Sequence, residues 1–392
     1  MMRDATERNP TCSGGWPAFP VVVGRAMVAI LLLPCTLARA ADGDFVRAGA
    51  LGGGMNDYAR AVAVDDSDNV YVTGEFSSTA DFDPGAATYG LTSQGSTDIY
   101  ACKLDSDGAL VWAVAVGGTL ADVGNAIAVD GSGNVFVTGY FTGTVDFDPG
   151  AGTYSLTSSS NSIDIFVLKL DSSGAFIWAC GLGCPDVAGN HDDRGHAIAA
   201  DASGNVYVTG RYHNTVDFDP GAGTQNLTSN GNNDIFVCKL DADGALVWAK
   251  GMGGASEEYG YGIAVDSAGN VFITGTFGAA ADFDPGSGTF DLIAQNFDGY
   301  VCRLDAAGDF VWAGQLGGPG FDGGMDIALD TDGNVYSIGN FVDTADLDPG
   351  AGTYNLTSSY AATYVSKLDG SGAFVWAKGF VGDPVTGTGI AV

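Results

Sequence analysis

The chain is poor in glutamate. Of its 47 acidic residues only Glu7, Glu75, Glu257 and Glu258 are Glu, and the remainder are Asp. Asp favours turns and Asx-type hydrogen bonds where Glu favours helices, so a helix-rich fold is excluded. Basic residues are also scarce, at 15, which leaves a formal charge of −32. Such a field repels phosphate backbones and anionic lipid, so nucleic acid is excluded as a natural partner. There are three histidines, which confines imidazole chemistry to His191, His196 and His213. No apolar run is long enough for a comfortable transmembrane helix. No Ser-His-Asp set, Gly-rich phosphate loop or paired Glu emerges.

What is abundant is glycine, 61 residues, together with a 46% hydrophobic content sufficient for a large core. Near the N-terminus, Arg25, the apolar stretch Ala26 to Leu33 and Ala38-Arg39-Ala40 have the layout of a cleaved signal peptide over residues 1–40. Cleavage before Ala41 leaves 11 basic and 45 acidic residues, a charge of −34. The expectation is a secreted or cell-surface protein with no stable membrane insertion after cleavage.

Three markers recur in step. The motif Asp-Phe-Asp-Pro-Gly begins at Asp81, Asp146, Asp217, Asp282 and, with Leu for Phe, Asp346; its spacings are 65, 71, 65 and 64. Segments like "GNVYVTG" place Asn at 69, 134, 205, 270 and 334. Segments of the form "KLDxxGxxxW" end at Trp112, Trp178, Trp248, Trp312 and Trp376. Within a unit the hydrophobic period is two, with four short strands and a turn after each. Strands apolar on both faces belong in sheets covered on both sides. The pattern predicts an all-β β-propeller of four-stranded antiparallel blades.

The repeats run approximately 54–118, 119–183, 184–254, 255–318 and 319–382. Residues 43–53 read as a fourth strand, with Arg47 where Trp belongs, and 387–392 as a first strand. The expectation is five complete blades plus an incomplete sixth over residues 41–392, which suggests a truncated chain. On "AIAVD", "GNVYVTG" and "KLDxxGxxxW" the chain resembles the SBBP family of bacterial β-propeller repeats, with NHL-like blades. The resemblance implies an exported bacterial propeller and carries no catalytic residues with it.

Candidate sites fall into four groups. The first is a set of paired carboxylates: Asp81 with Asp83, Asp146 with Asp148, Asp217 with Asp219, Asp282 with Asp284, and Asp346 with Asp348. These are candidate calcium ligands, since carboxylates two apart on a Gly-containing loop present hard oxygens. The competing reading is a Pro-Gly turn in which Asp caps backbone N–H groups and Phe147 packs inward. The second group is a cation column in the third strand, Lys103, Lys169, Lys239, Arg303 and Lys367. It is expected to pair with the motif aspartates or with Asp98, Asp164 and Asp234.

The third group is the one interruption of the repeat. Trp to first-strand Asp spans 18 residues in three copies, but 23 from Trp178 to Asp201. This insertion and its neighbourhood hold His191, Asp192, Asp193, Arg194, His196, Arg211 and His213, candidates for binding, for a transition metal such as zinc, or for acid–base work. Cys180 and Cys184 in the same loop are a candidate disulfide, whereas Cys102, Cys238 and Cys302 read as core residues.

The fourth group is the residue opening each first strand, Arg60, Asn125, His196, Tyr261 and Met325, a ring expected near the channel mouth. The expected function is a non-catalytic binding, adhesion or surface-structural module for a protein or glycan. A lyase or hydrolase on the same scaffold, or a calcium-stabilised structural repeat, are the alternatives.

Overall fold

A computed structural model describes residues 48–159, 162–184, 191–382 and 385–392. Among them there is no α-helix, and none long and apolar enough to cross a membrane. The signal-peptide reading over 1–40 and residues 43–47 of the expected strand 43–53, Arg47 included, lie outside the described residues.

Five consecutive units each hold four antiparallel strands. In the third these are Arg194–Ala200, Val206–Asp217, Asn226–Leu240 and Leu246–Gly254, paired in chain order. The first strands (Tyr58–Val64, Val123–Val129, Arg194–Ala200, Glu258–Val265 and Gly323–Leu329) lie side by side at the centre, each next to its successor. The core sits between units. Tyr71, Ile99 and Trp112 of the first pack with Ile127, Val135 and Val137 of the second, and the same layering follows at the next three seams. That is why both faces of each sheet are apolar.

The Asp-Phe-Asp-Pro-Gly motif caps a two-stranded ribbon that extends the second and third strands. The ribbon also pairs with the last strand of the preceding unit, at Gly117↔Asp146, Gly183↔Asp217, Gly253↔Asp282 and Gly317↔Asp346. Gly52–Gly53, a two-residue strand, clasps Ala80 and Asp81 in the same way. The motif therefore ties units together as well as turning the chain. Residues 387–392, expected to form a strand, have no strand pairing. Side-chain oxygens meet their amides instead: Gly387 N–H donates to Asn340 Oδ1 at 3.1 Å and Ile390 N–H to Asp326 Oδ2 at 2.9 Å.

Candidate functional site

Every central strand carries one β-bulge at the same place. In the first unit the register passes from Ala59↔Gly74 to Ala61↔Thr73, which leaves Arg60 as the extra residue. Asn125, His196, Tyr261 and Met325 are the extra residues of the other four. A bulge re-aims its side chain and bends the strand. The glycine of "VTG" lies opposite and makes room for it. A Cβ added at Gly74, Gly139, Gly210, Gly275 or Gly339 would stand 1.8–2.1 Å from the carbonyl oxygen of the residue two before the bulge. The repeated glycine is thus the partner of the variable residue.

All five bulge residues line one cavity of about 620 Å³, together with Ile127, Ile198, Ile263, Asp326 and the segment Thr388 to Ala391. Two of them reach their neighbour's bulge. Asn125 Nδ2 donates to Gly195 O at 2.8 Å, and His196 Nδ1 lies 3.0 Å from Gly260 O. A carbonyl only accepts, so Nδ1 carries the proton and Nε2 is left as an acceptor. Burial, with help from Arg211 and Arg194, pushes the His196 pKa down to about 4, so the ring is neutral at pH 7. It stacks on Tyr261 at 5.1 Å, and Tyr261 on Tyr259 at 5.6 Å. Arg60 is held by Glu75 through Nε at 2.9 Å and Nη2 at 2.6 Å.

Beside this ring lies a second one, of which the sequence reading singled out Arg211 alone. Glu75, Tyr140, Arg211, Thr276 and Asn340 pair with the residue two before each bulge. The signal was present, because the residue after "VTG" or its equivalent differs in all five copies. Cations and aromatics alternate here: Arg194 lies over Tyr140 at 4.3 Å and Arg211 over Tyr259 at 5.3 Å.

The interrupted loop does not gather its histidines. His196 faces the cavity, while Asp192 bridges Arg194 and Arg211 at the rim. His191 and Asp193 are buried in the seam, where Asp193 Oδ1 accepts the His213 backbone N–H at 2.8 Å. The His191 and His213 rings are 6.3 Å apart. Among the described residues no group of three or more His, Cys, Asp or Glu is disposed to hold a metal ion. Cys180 carries a free, buried thiol, its pKa raised to about 12 by burial; the candidate bridge to Cys184 is not formed in this structure. The side chain instead joins the core between the second and third units.

The motif carboxylates, candidates either for calcium or for capping their own turn, are not gathered into a cation site among the described residues. They are engaged with their own backbone, as the turn reading expects. Oδ1 of Asp146 accepts Asp148 N–H at 3.1 Å and Tyr154 N–H at 2.8 Å. Asp81, Asp217, Asp282 and Asp346 each accept the same two amides in their own loops. The second carboxylate of each pair caps the glycine that ends the motif. Asp83 Oδ1 accepts Gly85 N–H at 2.7 Å, and Asp148 Oδ1 accepts Gly150 N–H at 2.8 Å. Asp219 holds Gly221 and Asp284 holds Gly286, both at 2.8 Å, and Asp348 holds Gly350 at 2.9 Å. Each carboxylate thus spends an oxygen on its own turn, Asp284 and Asp348 like the other eight. Phe82, Phe147, Phe218, Phe283 and Leu347 are buried beneath them.

The cation column has different partners from those expected. Lys103, Lys169, Lys239, Arg303 and Lys367 each lie 4.7–5.3 Å over the ring of a second-strand Tyr or Phe. Lys367 also pairs with Asp330 at 3.2 Å and Lys103 with Asp65 at 3.9 Å, which are first-turn aspartates. The aromatic face lies directly across the register, as in Tyr336↔Lys367, whereas the motif aspartates stand at the far end of the ribbon.

Stacked four-stranded antiparallel units around a central cavity define a repeat protein of β-propeller type. Residues 111–143 and 251–276 match the model of the SBBP family, described as a beta-propeller repeat, so the chain carries repeats of that family. It is similar to the uncharacterized WD repeat-containing protein L264 of Acanthamoeba polyphaga mimivirus, 25% identical over 401 residues, 86% of this chain and 28% of that protein. It is also similar to regulatory protein FlaEY of Caulobacter vibrioides, 26% identical over 165 residues, 41% of this chain and 17% of that protein. The chain spans less than a third of the length of either relative.

Proposed function

We propose that this chain is an exported, non-catalytic β-propeller, five complete blades with an incomplete sixth, that binds a protein or glycan ligand in its central cavity. One observation carries the reading. Five nearly identical blades differ at the bulge position, and the five unlike side chains Arg60, Asn125, His196, Tyr261 and Met325 share one cavity. Variable residues on a repeated scaffold are where recognition resides. A cavity with apolar walls and a few converging polar groups suits a ligand of modest size. The three histidines that the enzyme alternative invokes do not converge, since His196 lines the cavity while His191 is buried in the seam beside His213.

The test uses the mature chain, from Ala41, on glycan and peptide arrays. A ligand should be found whose affinity falls at least tenfold in Tyr261→Ala or Arg60→Ala, with folding retained. Unchanged affinity in both variants would place binding elsewhere, and turnover of the captured glycan would favour the lyase or hydrolase alternative. Subcellular fractionation with N-terminal sequencing tests export, and a mature protein beginning near Ala41 is the expected result.

A further inference from the structure

Each seam between consecutive blades encloses two carboxyl groups. One stands in the third strand (Asp98, Asp164, Asp234, Asp298). The other precedes or opens the first strand of the next blade (Asp122, Asp193, Glu258, Asp322). Parallel bridges at Thr97↔Ala121, Ile163↔Asp192 and Phe297↔Phe321 bring the residues just before three of these pairs together. In the remaining seam Asn232 N–H donates to Ser256 O at 3.1 Å.

All eight side chains are buried, none more than 6% exposed, and none forms a salt bridge among the described residues. In each pair some oxygen takes backbone or side-chain donors. Asp122 accepts Gly118 N–H at 2.8 Å and Thr142 N–H at 3.0 Å, and Asp234 accepts Asn230 N–H at 3.0 Å. Every seam nevertheless keeps an oxygen with no hydrogen-bond partner: Asp98 Oδ1, Asp193 Oδ2, Asp298 Oδ1, and both Asp234 Oδ1 and Glu258 Oε1. An unpaired buried carboxylate oxygen is costly, and two ionised carboxylates in one dry site are costlier still.

We propose that the seam carboxyls are proton-binding sites, each pair holding one shared proton that joins consecutive blades. A protonated carboxyl donates to its partner's orphaned oxygen, which removes both the missing bond and the second charge. Burial drives the affinity for that proton. It raises Asp122 and Glu258 to about 7 and Asp234, Asp298 and Asp322 to about 6, and the partner's charge adds to the effect in every seam.

The surroundings supply little to oppose it. Tyr212 faces Asp234 and Asp193, Asp192 also adds to Asp193 while Arg211 opposes it, Glu257 adjoins Glu258, and Asp343 and Tyr364 face Asp322. Gln315 donates to Asp298, and Ser162 to Asp164, near which stands His191. The eight seam acids bind more protons folded than unfolded. Their stabilisation is therefore complete below pH 4 and is lost as pH rises through 6 to 7.

The seam of Asp234 and Glu258 gives the test, in the full mature chain. The wild-type Tm should fall between pH 5.5 and 8. Asp234→Asn keeps a donor at every pH and should remove about a quarter of that fall, being one seam of four. Infrared spectra of the wild type should show a protonated carboxyl band that disappears over the same range and is smaller in Asp234→Asn and Glu258→Gln. The proposal is overturned if Asp234→Asn lowers Tm equally at both pH values, or if no protonated carboxyl is seen at pH 5.5. Calcium that raises the wild-type Tm at pH 8 but not that of Asp234→Asn would also overturn it, since the pair would then be ionised around a cation.

Discussion

The indole nitrogen of Trp112 donates to the carbonyl oxygen of Ser172, 60 residues further on and in the next blade, at 3.1 Å. Its ring covers Gly174, where a Cβ would stand 2.8 Å away and where φ is +82°. Trp178, Trp248 and Trp312 repeat the bond to Ala242, Ala306 and Gly370. The tryptophan column is thus a set of latches from each outer strand onto the third turn of the following blade.

Trp112→Phe keeps most of the ring over Gly174 and removes the hydrogen bond, so it should cost about 1 kcal/mol. Trp112→Ala removes the packing as well and should cost on the order of 3–5 kcal/mol. Urea unfolding of the three proteins checks both values: a Trp112→Phe protein as stable as the wild type would mean that the hydrogen bond contributes nothing, and equal losses in the two variants that the ring packing contributes nothing.

Gly210→Ala places a methyl 1.9 Å from Arg194 O, beneath the bulge that presents His196. It should destabilise by more than about 1 kcal/mol and weaken ligand binding in the cavity. Gly131→Ala, with open space around it, is the control and should be close to neutral in denaturant melts.

Asp217 Oδ1 accepts Asp219 N–H at 3.0 Å and Gln225 N–H at 2.8 Å. Asp217→Ala should cost about 1–2 kcal/mol, and Asp217→Asn, which keeps an acceptor, less. Tm measured with calcium and then with chelator should be unchanged for the wild type; a rise in millimolar calcium would assign these loops to the ion instead.

His196 behaves oppositely to the seam acids. Its folded value of about 4 lies below the ordinary 6.5, so the stability it contributes is present above pH 6.5 and is lost as pH falls through 4. NMR titration of the imidazole should show a midpoint well below that of a free histidine. His196→Gln should flatten the acid limb of the stability profile, and a midpoint near 6.5 would contradict the buried, neutral ring.

Much of the fold was legible because its determinants repeat. Trp, the Asp-x-x-Gly turns and the Asp-Phe-Asp-Pro-Gly ribbon stand at fixed intervals, and alternation within each unit marks the strands. The bulge ring could be read as a column of unlike residues. What made it a ring, an extra residue facing an obligatory glycine, needs the register between two strands. The partners of the cation column were misread because the aromatic across the strand lies some 30 residues away in sequence, as in Lys367 and Tyr336. The motif aspartates, from Asp81 and Asp83 through Asp284 to Asp348, looked available in sequence and are consumed by their own turns. The seam pairs were not legible, since each joins residues of two blades; Asp98, Asp164, Asp193 and Asp234 stood out in sequence only for other roles, and burial is what marks the pairs.

The most direct measurement is the position of a bound ligand. Crystals of the mature chain soaked with the strongest array ligand should show density in the central cavity, against Tyr261 and within hydrogen-bond distance of His196 Nε2 or Arg60. Density on the ribbon turns or the outer strands, with nothing in the central cavity, would contradict the account.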